Sequence, residues 1–382
     1  MIVNLYGSTG VIGKTFLRII KNQFSEYKIN LLCAKNNIKL LAKQCKEFNT
    51  RYVYLDNQKK INILKSILPK EIKILNENEL KEYLQKSRSD LSILAVSGYE
   101  SLKYLELICI NTNKIGIVSK EAIVSAGHIF KNIIKKNNTK IFPLDSEHFS
   151  IFQNFNKIKI DSSNLKKIYI TASGGPFINK KFNLLKNISF KEAAKHPKWK
   201  MGYKNSIDSA TLVNKCLELI EAHYLFDIPL TKLDILIHPE SLVHSIIEDH
   251  NYVSKLIYFY NDMRIPLINF LNNGSFNYLP TINKYNFLNE LSLNFSKVNT
   301  ETYPIYDYFK SIDKSNPRNL IKFNIGNEYA VDLFKQKKIK YIEILQLIKE
   351  ITSLNIDSDV NNIHNIIQYH EDIKLHIKSN FF

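Results

Sequence analysis

The chain has 382 residues, too many for one ordinary hydrophobic core, and its hydrophobic fraction of 45% and charged fraction of 23% predict a globular protein of two or three domains. No apolar run reaches the roughly 18 residues of a membrane-spanning helix and no signal peptide precedes the first apolar run, so we expect a cytoplasmic protein with no membrane partner. The net charge of +17 comes mostly from lysines spread along the chain, with arginine at five positions, which argues against a nucleic-acid partner and leaves attraction of an anionic small molecule open.

Seven short apolar runs alternate with helical stretches between residue 2 and about residue 145. They read IVNLY, INLLC, YVYL, IKIL, LSILAV, IGIVS and KIFPL. This alternation predicts βαβ units and a doubly wound, Rossmann-like parallel sheet, with its ligand site at the carboxyl ends of the strands. The first predicted domain spans residues 1–147.

The stretch YGSTGVIGKTFL follows the first of these runs and spaces Gly7, Gly10 and Gly13 as G-x-x-G-x-x-G. A strand, a glycine turn and a helix form the setting in which a dinucleotide pyrophosphate binds at a helix N-terminus; a bare turn is the alternative. The second run ends in AKNN, without the carboxylate that NAD sites use, and Lys35 stands where a 2′-phosphate would lie. The sequence therefore favours NADPH.

A pair of carboxylates, Asp145 and Glu147, follows the last strand of this domain in PLDSEHFS. Alternation along an extended chain would put both side chains on one side, where oxygen ligands suit Mg²⁺ or Mn²⁺. An isolated D-x-E is more often a solvated turn.

After residue 150 the pattern changes to KKIYITASGG, KLDILIHPESLVHSIIED and VSKLIYFY, with a long helix between the first two. This predicts an α+β catalytic domain over residues 148–270. A stretch without clear period, 271–298, is predicted to be a linker. Residues 299–382 are predicted to be a helical C-terminal domain.

Two loops of the second domain have a composition suited to a ligand. TASGGPF places Ser173 beside two glycines, as in phosphate loops and in common turns. HPKWKMGYK, with the only tryptophan, follows a capping box of Ser189 and Glu192 and is predicted to form a substrate lid near 196–204. Core anchoring by Trp199 is the alternative.

The long helix, predicted from about Ser209 to Phe226, carries polar residues on one face. Asn214 and Lys215 lie four and three residues before Glu218, so all three share that face. Ser209 is expected near the helix N-terminus, where a hydroxyl and a backbone N–H meet an anion. An ordinary polar helix surface is the alternative.

Several segments, in this order, resemble the 1-deoxy-D-xylulose 5-phosphate reductoisomerase family: GSTGVIG, SKEAIVSAG, DSEHFSIFQ, TASGGPF, HPKWKMGYKNSIDSATLVNKCLELIEAHYLF, IHPESLVHS and DMRIPL. The likeness continues to GNEYAV near residue 330, and beyond it only as a helical region. It implies a homodimeric enzyme that uses NADPH and Mg²⁺ or Mn²⁺ to isomerise and reduce this sugar phosphate to 2-C-methyl-D-erythritol 4-phosphate, in isoprenoid precursor synthesis.

The resemblance also implies a role for each matching position. The metal ligands would be Asp145, Glu147 and Glu218. The catalytic group would comprise Lys120, Glu147, His196, Trp199 and His238. Substrate would contact Ser146, Ser173, His196, Ser209, Asn214, Lys215 and Glu218. Cofactor would contact Gly7, Thr9, Gly10, Val11, Ile12, Gly13, Lys35, Asn36, Ser119, Glu121 and Gly202.

The chain departs from the family pattern at four places near the cofactor. Val11 replaces a usual serine, Ala34 a glycine, Ser119 an asparagine, and Tyr203 a basic residue. None of these changes removes a metal or phosphate ligand, so activity is expected.

Three other functions fit the sequence less well. A semialdehyde dehydrogenase needs a nucleophilic cysteine, but Cys109 and Cys216 lie in apolar surroundings, and the spacing of all four cysteines fits neither a disulfide nor a thiolate metal site. A nucleic-acid-binding protein would cluster arginine and aromatic residues. A non-catalytic nucleotide-binding regulator would not need the three carboxylates.

Overall fold

The computed structural model describes residues 1–158, 162–196, 202–272 and 292–381. The chain divides into two units. The first comprises Met1–Ala122, Ile129–Asp145 and the described part of Met263–Tyr278. The second comprises Ile123–His128, Ser146–Asp262 and the described part of Leu279–Phe382.

The first unit alternates strands and helices as the sequence predicts. Its strands are β1 (Ile2–Tyr6), β2 (Lys28–Ala34), β3 (Tyr52–Leu55), β4 (Lys73–Leu75), β5 (Ser89–Leu94), β6 (Thr112–Ile117) and β7 (Lys140–Pro143). Its helices are α1 (Val11–Gln23), α2 (Ile38–Glu47), α3 (Ile61–Ile67), α4 (Glu77–Lys86), α5 (Leu102–Asn111), most of α6 (Lys120–Asn137) and α11 (Arg264–Leu271).

The sheet of this unit runs β4-β3-β2-β1-β5-β6-β7, and every neighbouring pair is parallel. β1 lies between β2 and β5, so the strand order reverses there, and a ligand crevice is expected at its carboxyl end. Val3 and Leu5 of β1 are fully buried, and Phe16 and Ile20 lie on the buried face of α1. The hydrophobic core therefore encloses the strand that precedes the glycine loop.

The second unit is built on a mixed sheet. Its strands are β8 (Leu165–Ala172), β9 (Leu233–Ile237), β10 (Val243–Asp249), β11 (Ser254–Tyr258) and β12 (Ser296–Lys297). The order is β11-β10-β8-β9-β12, with β8 and β9 parallel and the other pairs antiparallel. Its helices are α7 (Ser146–Ile158), α8 (Phe190–Ala193), α9 (Tyr203–Thr211), α10 (Val213–Phe226), α12 (Pro304–Ser311), α13 (Pro317–Lys335), α14 (Glu343–Ser353) and α15 (Ile363–Phe381).

The predicted fold class is confirmed: a doubly wound parallel sheet, an α+β region and a helical C-terminal region. The capping box of Ser189 and Glu192 is also confirmed at α8. The domain boundaries at 147, 270 and 298 stay predictions. Within 271–298 the structure describes 271–272 and 292–298, where β12 pairs with β9. No helix in the described ranges has both the length and the apolar character to cross a bilayer.

The prediction of a single helix from Ser209 to Phe226 is wrong in one respect. The chain forms two helices, α9 and α10, separated at Leu212, whose φ of 70° is left-handed. This conformation is costly for a residue with a Cβ, and Leu212 keeps it with a buried side chain. Periodicity alone does not reveal such a break, because apolar spacing continues across it.

Candidate active site

The glycine loop leaves β1 in a conformation that requires glycine. Gly7 has a φ of 90°, and a Cβ there would lie 2.3 Å from the carbonyl oxygen of Ala95. A Cβ on Gly13 would lie 2.4 Å from the carbonyl oxygen of Gly7. Gly10 precedes the first residue of α1, and no side chain caps that helix. The backbone N–H groups of its first turn therefore have the geometry that binds a phosphate anion.

Ser8 is a loop residue outside the predicted set of cofactor contacts. It is fully buried, and its Oγ has no hydrogen-bond partner among the described residues. A buried hydroxyl without a partner costs free energy that a bound acceptor recovers. The donor set of the loop therefore fits a pyrophosphate. The sequence signal, a hydroxyl residue directly after the first glycine, was available.

The other predicted cofactor residues of the first unit lie at the carboxyl ends of three strands. Lys35 and Asn36 follow β2, where the exposed Lys35 Nζ is 3.4 Å from Glu100 Oε1 and Asn36 accepts a bond from Asn57. The exposed Val11 opens α1 after β1. The rest share these edges: Thr9 and Ile12 in the glycine loop and α1, and Ser119 and Glu121 after β6. Gly202 belongs to the second unit, directly before α9.

The three predicted metal ligands come together. Asp145, Glu147 and Glu218 each offer a carboxylate oxygen within 4.8 Å of the others, and both glutamates are buried. The extended backbone expected for Asp145 and Glu147 is wrong, because α7 begins at Ser146 and Glu147 lies in its first turn. A set of three carboxylates, two of them buried, offers only oxygen ligands and therefore fits Mg²⁺.

Cationic and polar groups surround these carboxylates. Lys120 Nζ is 2.7 Å from Asp145 Oδ2. Lys215 Nζ is 2.7 Å from both Glu147 Oε1 and Glu218 Oε2. These ammonium groups offset negative charge that would be costly to bury alone.

The polar residues next to the cluster are held by hydrogen bonds. Asn214 donates to Glu218 Oε1, and Ser146 Oγ donates to Glu147 Oε2 at 2.7 Å. The shared helix face of Asn214, Lys215 and Glu218 is therefore confirmed as a contact set, not a solvated surface. Asn214 Oδ1 is buried without a partner among the described residues, so it is an acceptor available to a ligand hydroxyl.

Two histidines near the cluster are not among the site residues that the sequence predicts. His244 on β10 places Nδ1 3.5 Å from Glu147 Oε1 and stacks on Phe259. His148 lies beside Glu147 in α7, where Nε2 is 2.9 Å from the Glu218 carbonyl oxygen and Nδ1 is 3.3 Å from Glu221. Both lie within segments that resemble the family, DSEHFSIFQ and IHPESLVHS, but a single sequence does not tell which histidine of such a segment lies beside the carboxylates.

The predicted His238 occupies a different setting. Its Nε2 faces the backbone N–H groups of Leu242 and Val243, its Nδ1 is 2.8 Å from the Asn294 carbonyl oxygen, and its ring stacks on Phe295. In the part of the chain that the structure describes, the contacts of His238 hold the loop between β9 and β10, whereas His244 is the histidine that lies beside the Glu147 carboxylate.

The Ser173 loop packs on the end of α9. Gly174 and Gly175 have φ values of 81° and 61°, and a Cβ on Gly175 would lie 2.9 Å from the Ser209 carbonyl oxygen. Ser209 therefore lies in the last turn of α9, not near a helix N-terminus as expected from the sequence. The break at Leu212 explains the difference, because it makes Asn214 and Lys215 the residues of the next helix's first turn.

His196 faces this loop. Its Nε2 is 3.1 Å from Ser173 Oγ. Burial and the nearby Lys215 cation lower the pKa of His196 to about 4, so the ring is neutral at pH 7. Of the predicted lid, the structure describes His196 and 202–204. Trp199 lies outside the described residues.

Comparison with known proteins identifies the family. The 1-deoxy-D-xylulose 5-phosphate reductoisomerase profile matches residues 3–127, and two profiles for C-terminal domains of that enzyme match 141–226 and 260–376. The reductoisomerase of a Thermoanaerobacter species is 36% identical over 376 residues, 97% of each protein.

Solved structures agree. The Zymomonas mobilis enzyme in complex with NADPH is 28% identical, with a TM-score of 0.88 over 99% of this chain and 98% of that one. A reductoisomerase crystallised with NADPH, fosmidomycin and magnesium is 27% identical, with a TM-score of 0.91 over the same shares. The chain therefore belongs to the 1-deoxy-D-xylulose 5-phosphate reductoisomerase family.

Proposed function

We infer that the chain converts 1-deoxy-D-xylulose 5-phosphate into 2-C-methyl-D-erythritol 4-phosphate, using NADPH and a divalent cation, in isoprenoid precursor synthesis. The observation that carries this conclusion is the cluster of carboxylates formed by Asp145, Glu147 and Glu218, in a chain that matches the family over almost its whole length. Neither a nucleotide-binding regulator nor a nucleic-acid-binding protein requires this set.

Asp145, Glu147 and Glu218 are proposed to hold the cation. When bound, Mg²⁺ supplies Lewis acidity to the carbonyl and neighbouring hydroxyl oxygens of the ketose phosphate. Three carboxylates also suit Mn²⁺, which we propose as an alternative ion. Ser146 and Asn214 hydrogen-bond to two of the carboxylates and so orient them.

Ser173, Ser209, Asn214 and Lys215 are proposed to bind the phosphate and hydroxyl groups of the substrate. Hydroxyls, an amide and an ammonium provide the donors that a phosphate dianion needs. Because the phosphate is remote from the reacting carbons, its binding energy is available to close the proposed lid near 196–204.

Proton transfer and cofactor binding are assigned in the same way. Lys120 is proposed to place an ammonium beside the substrate oxygens, and the neutral His196 ring to accept or donate a hydrogen bond beside Ser173. His238 stays a proposed site-lining residue. NADPH supplies hydride when bound; the loop from Gly7 to Gly13 is proposed to hold its pyrophosphate, and Lys35 with Asn36 its 2′-phosphate.

A homodimer and a cytoplasmic location are proposed too. The four cysteines are free thiols, as is usual in a reducing compartment. Size-exclusion chromatography with light scattering tests the dimer, and a monomer at micromolar concentration contradicts it. Fractionation of the source cells tests the location.

A spectrophotometric assay tests the activity. With the sugar phosphate and Mg²⁺ or Mn²⁺ present, NADPH absorbance should fall, and a chelator should stop the reaction. Glu147→Gln removes one carboxylate charge and is expected to lower kcat/KM by about 100-fold or more. Glu248→Gln is the control, because Glu248 pairs with Lys166 instead. A folded wild-type protein without turnover, or equal rates for both variants, would contradict the assignment.

A further inference from the structure

A buried carboxylate with no role so far lies next to Ser209. Asp208 on α9 is 1% exposed. Its Oδ2 is 2.8 Å from Lys204 Nζ one turn earlier, and its Oδ1 accepts a 2.8 Å hydrogen bond from Asn327 Nδ2 on α13. A buried carboxylate is stable only when its oxygens are satisfied, so these two partners determine where this turn of α9 lies.

The partner from α13 is also buried. Asn327 is 0% exposed, and its Oδ1 has no hydrogen-bond partner among the described residues. Among the described residues, the Asn327 amide interacts with the side chain of Asp208, and this hydrogen bond joins the C-terminal helical region to α9. The first residue of α9 contacts α13 as well: Lys335 Nζ lies 3.7 Å from the Tyr203 ring centroid.

The other side of α9 meets the glycine turn that follows Ser173. The Ser209 and Ala210 backbone approaches Gly175 so closely that a Cβ there would be 2.9 Å from Ser209 O. In this contact a shift of α9 by a few tenths of an ångström would change the spacing between Ser209 and Ser173. Hydrogen bonds to a phosphate depend on donor positions to a similar tolerance.

We propose that Asp208 is a positioning residue for the phosphate subsite: its bond to Asn327 of α13 holds α9 so that Ser209 meets the Ser173 loop at the spacing a phosphate requires. This proposal rests on the proposed function for the identity of the substrate, but its geometry concerns any phosphate bound at Ser173 and Ser209. It assigns α13, a helix of the C-terminal region, a part in substrate affinity.

The test uses a matched pair on α13. Asn327→Leu removes the donor to Asp208 while Lys204 remains. Asn324→Leu is the control, because Asn324 is equally buried and donates at 3.5 Å to Glu328 on its own helix, while its Oδ1 also lacks a partner in the part of the chain that the structure describes. We expect Asn327→Leu to raise KM for the sugar phosphate about tenfold, close to the lower end of the range expected for a hydrogen bond to a charged group. KM for NADPH and kcat should change less than about threefold.

A binding measurement separates this proposal from the proposed function. Inorganic phosphate, titrated into each full-length protein and followed by thermal shift, should bind Asn327→Leu about tenfold more weakly than wild type and Asn324→Leu. This readout does not need turnover. Wild type without turnover but with this difference would remove the proposed function and support the positioning role. Equal phosphate affinities, or no phosphate binding by wild type, would overturn it.

A reciprocal swap covers a variant that fails to fold. Asp208→Asn combined with Asn327→Asp places an amide at 208, whose oxygen accepts from Lys204 and whose nitrogen donates to the new carboxylate. The double variant should recover phosphate affinity to within about threefold of wild type, because the bond is reversed and not lost. A folded double variant that binds phosphate as weakly as Asn327→Leu would overturn the proposal.

Discussion

The glycines at positions 10 and 13 belong to one motif, yet the structure predicts that replacing them by alanine changes the stability of the fold to very different extents. The Cβ of Gly13→Ala would meet three backbone atoms, Gly7 O at 2.4 Å and Ser8 Cα and C at 2.7 Å. Backbone cannot rotate away as a side chain can, so the loop itself must shift. The Cβ of Gly10→Ala would meet Gly7 O at 3.3 Å, and Gly10 has a φ of −73° that any residue adopts.

The magnitudes follow from these contacts. Overpacking costs about 1–3 kcal/mol, and three contacts under 3 Å favour the upper value; alanine in a helix returns about 0.8–1 kcal/mol. Gly13→Ala should therefore lower the free energy of unfolding by about 2 kcal/mol. At Gly10, the loss of unfolded-state freedom stabilises by about 0.4–1 kcal/mol and the 3.3 Å contact offsets part of it, so the net change should stay within about 0.5 kcal/mol.

Denaturant unfolding without cofactor, paired with NADPH titration by fluorescence, measures both effects. Gly10→Ala should unfold like wild type but bind NADPH about tenfold or more weakly, because its Cβ would stand in the proposed pyrophosphate site. Gly13→Ala should lose both stability and affinity. Equal destabilisation of the cofactor-free protein by Gly10→Ala and Gly13→Ala, or a Gly13→Ala variant that unfolds like wild type, would refute the role given to these contacts.

Two further predictions concern stability. Burial, and to a smaller extent the Lys374 cation, lower the pKa of His370 from its ordinary 6.5 to about 3, and its neutral ring lies 3.2 Å from Ser125 Oγ. The contribution of the neutral ring to stability is therefore complete above pH 6.5. It falls by about 1.4 kcal/mol per pH unit as the pH falls from 6.5 towards 3, because the unfolded chain then binds a proton that the folded chain does not. His370→Gln, compared by urea unfolding at pH 7 and 5, should lose less stability on acidification than wild type, and equal losses contradict the assignment. Leu212→Gly and Leu212→Ala both remove a buried side chain, but only glycine adopts the left-handed backbone without cost. In thermal unfolding, Leu212→Gly should therefore be more stable than Leu212→Ala by about 1 kcal/mol. The opposite order, which helix propensity predicts, would contradict this expectation.

The sequence alone determined the elements whose cause is local. Runs such as IVNLY and IGIVS become buried strands because their apolar side chains are stable only in a hydrophobic core. The sheet is parallel because helices connect its strands. The polar face of α10 was also readable, because a spacing of three and four residues places Asn214 and Lys215 beside Glu218 in any helix.

The tertiary structure decided the features that depend on contacts distant in sequence. The break at Leu212 is invisible to periodicity, since packing, and not local propensity, maintains its left-handed backbone. The same limit explains why His244 lies at Glu147, and why Asp208 meets Asn327 across 119 positions. Side-chain chemistry tells which groups need a partner when buried, but only the folded chain determines which partner each one receives.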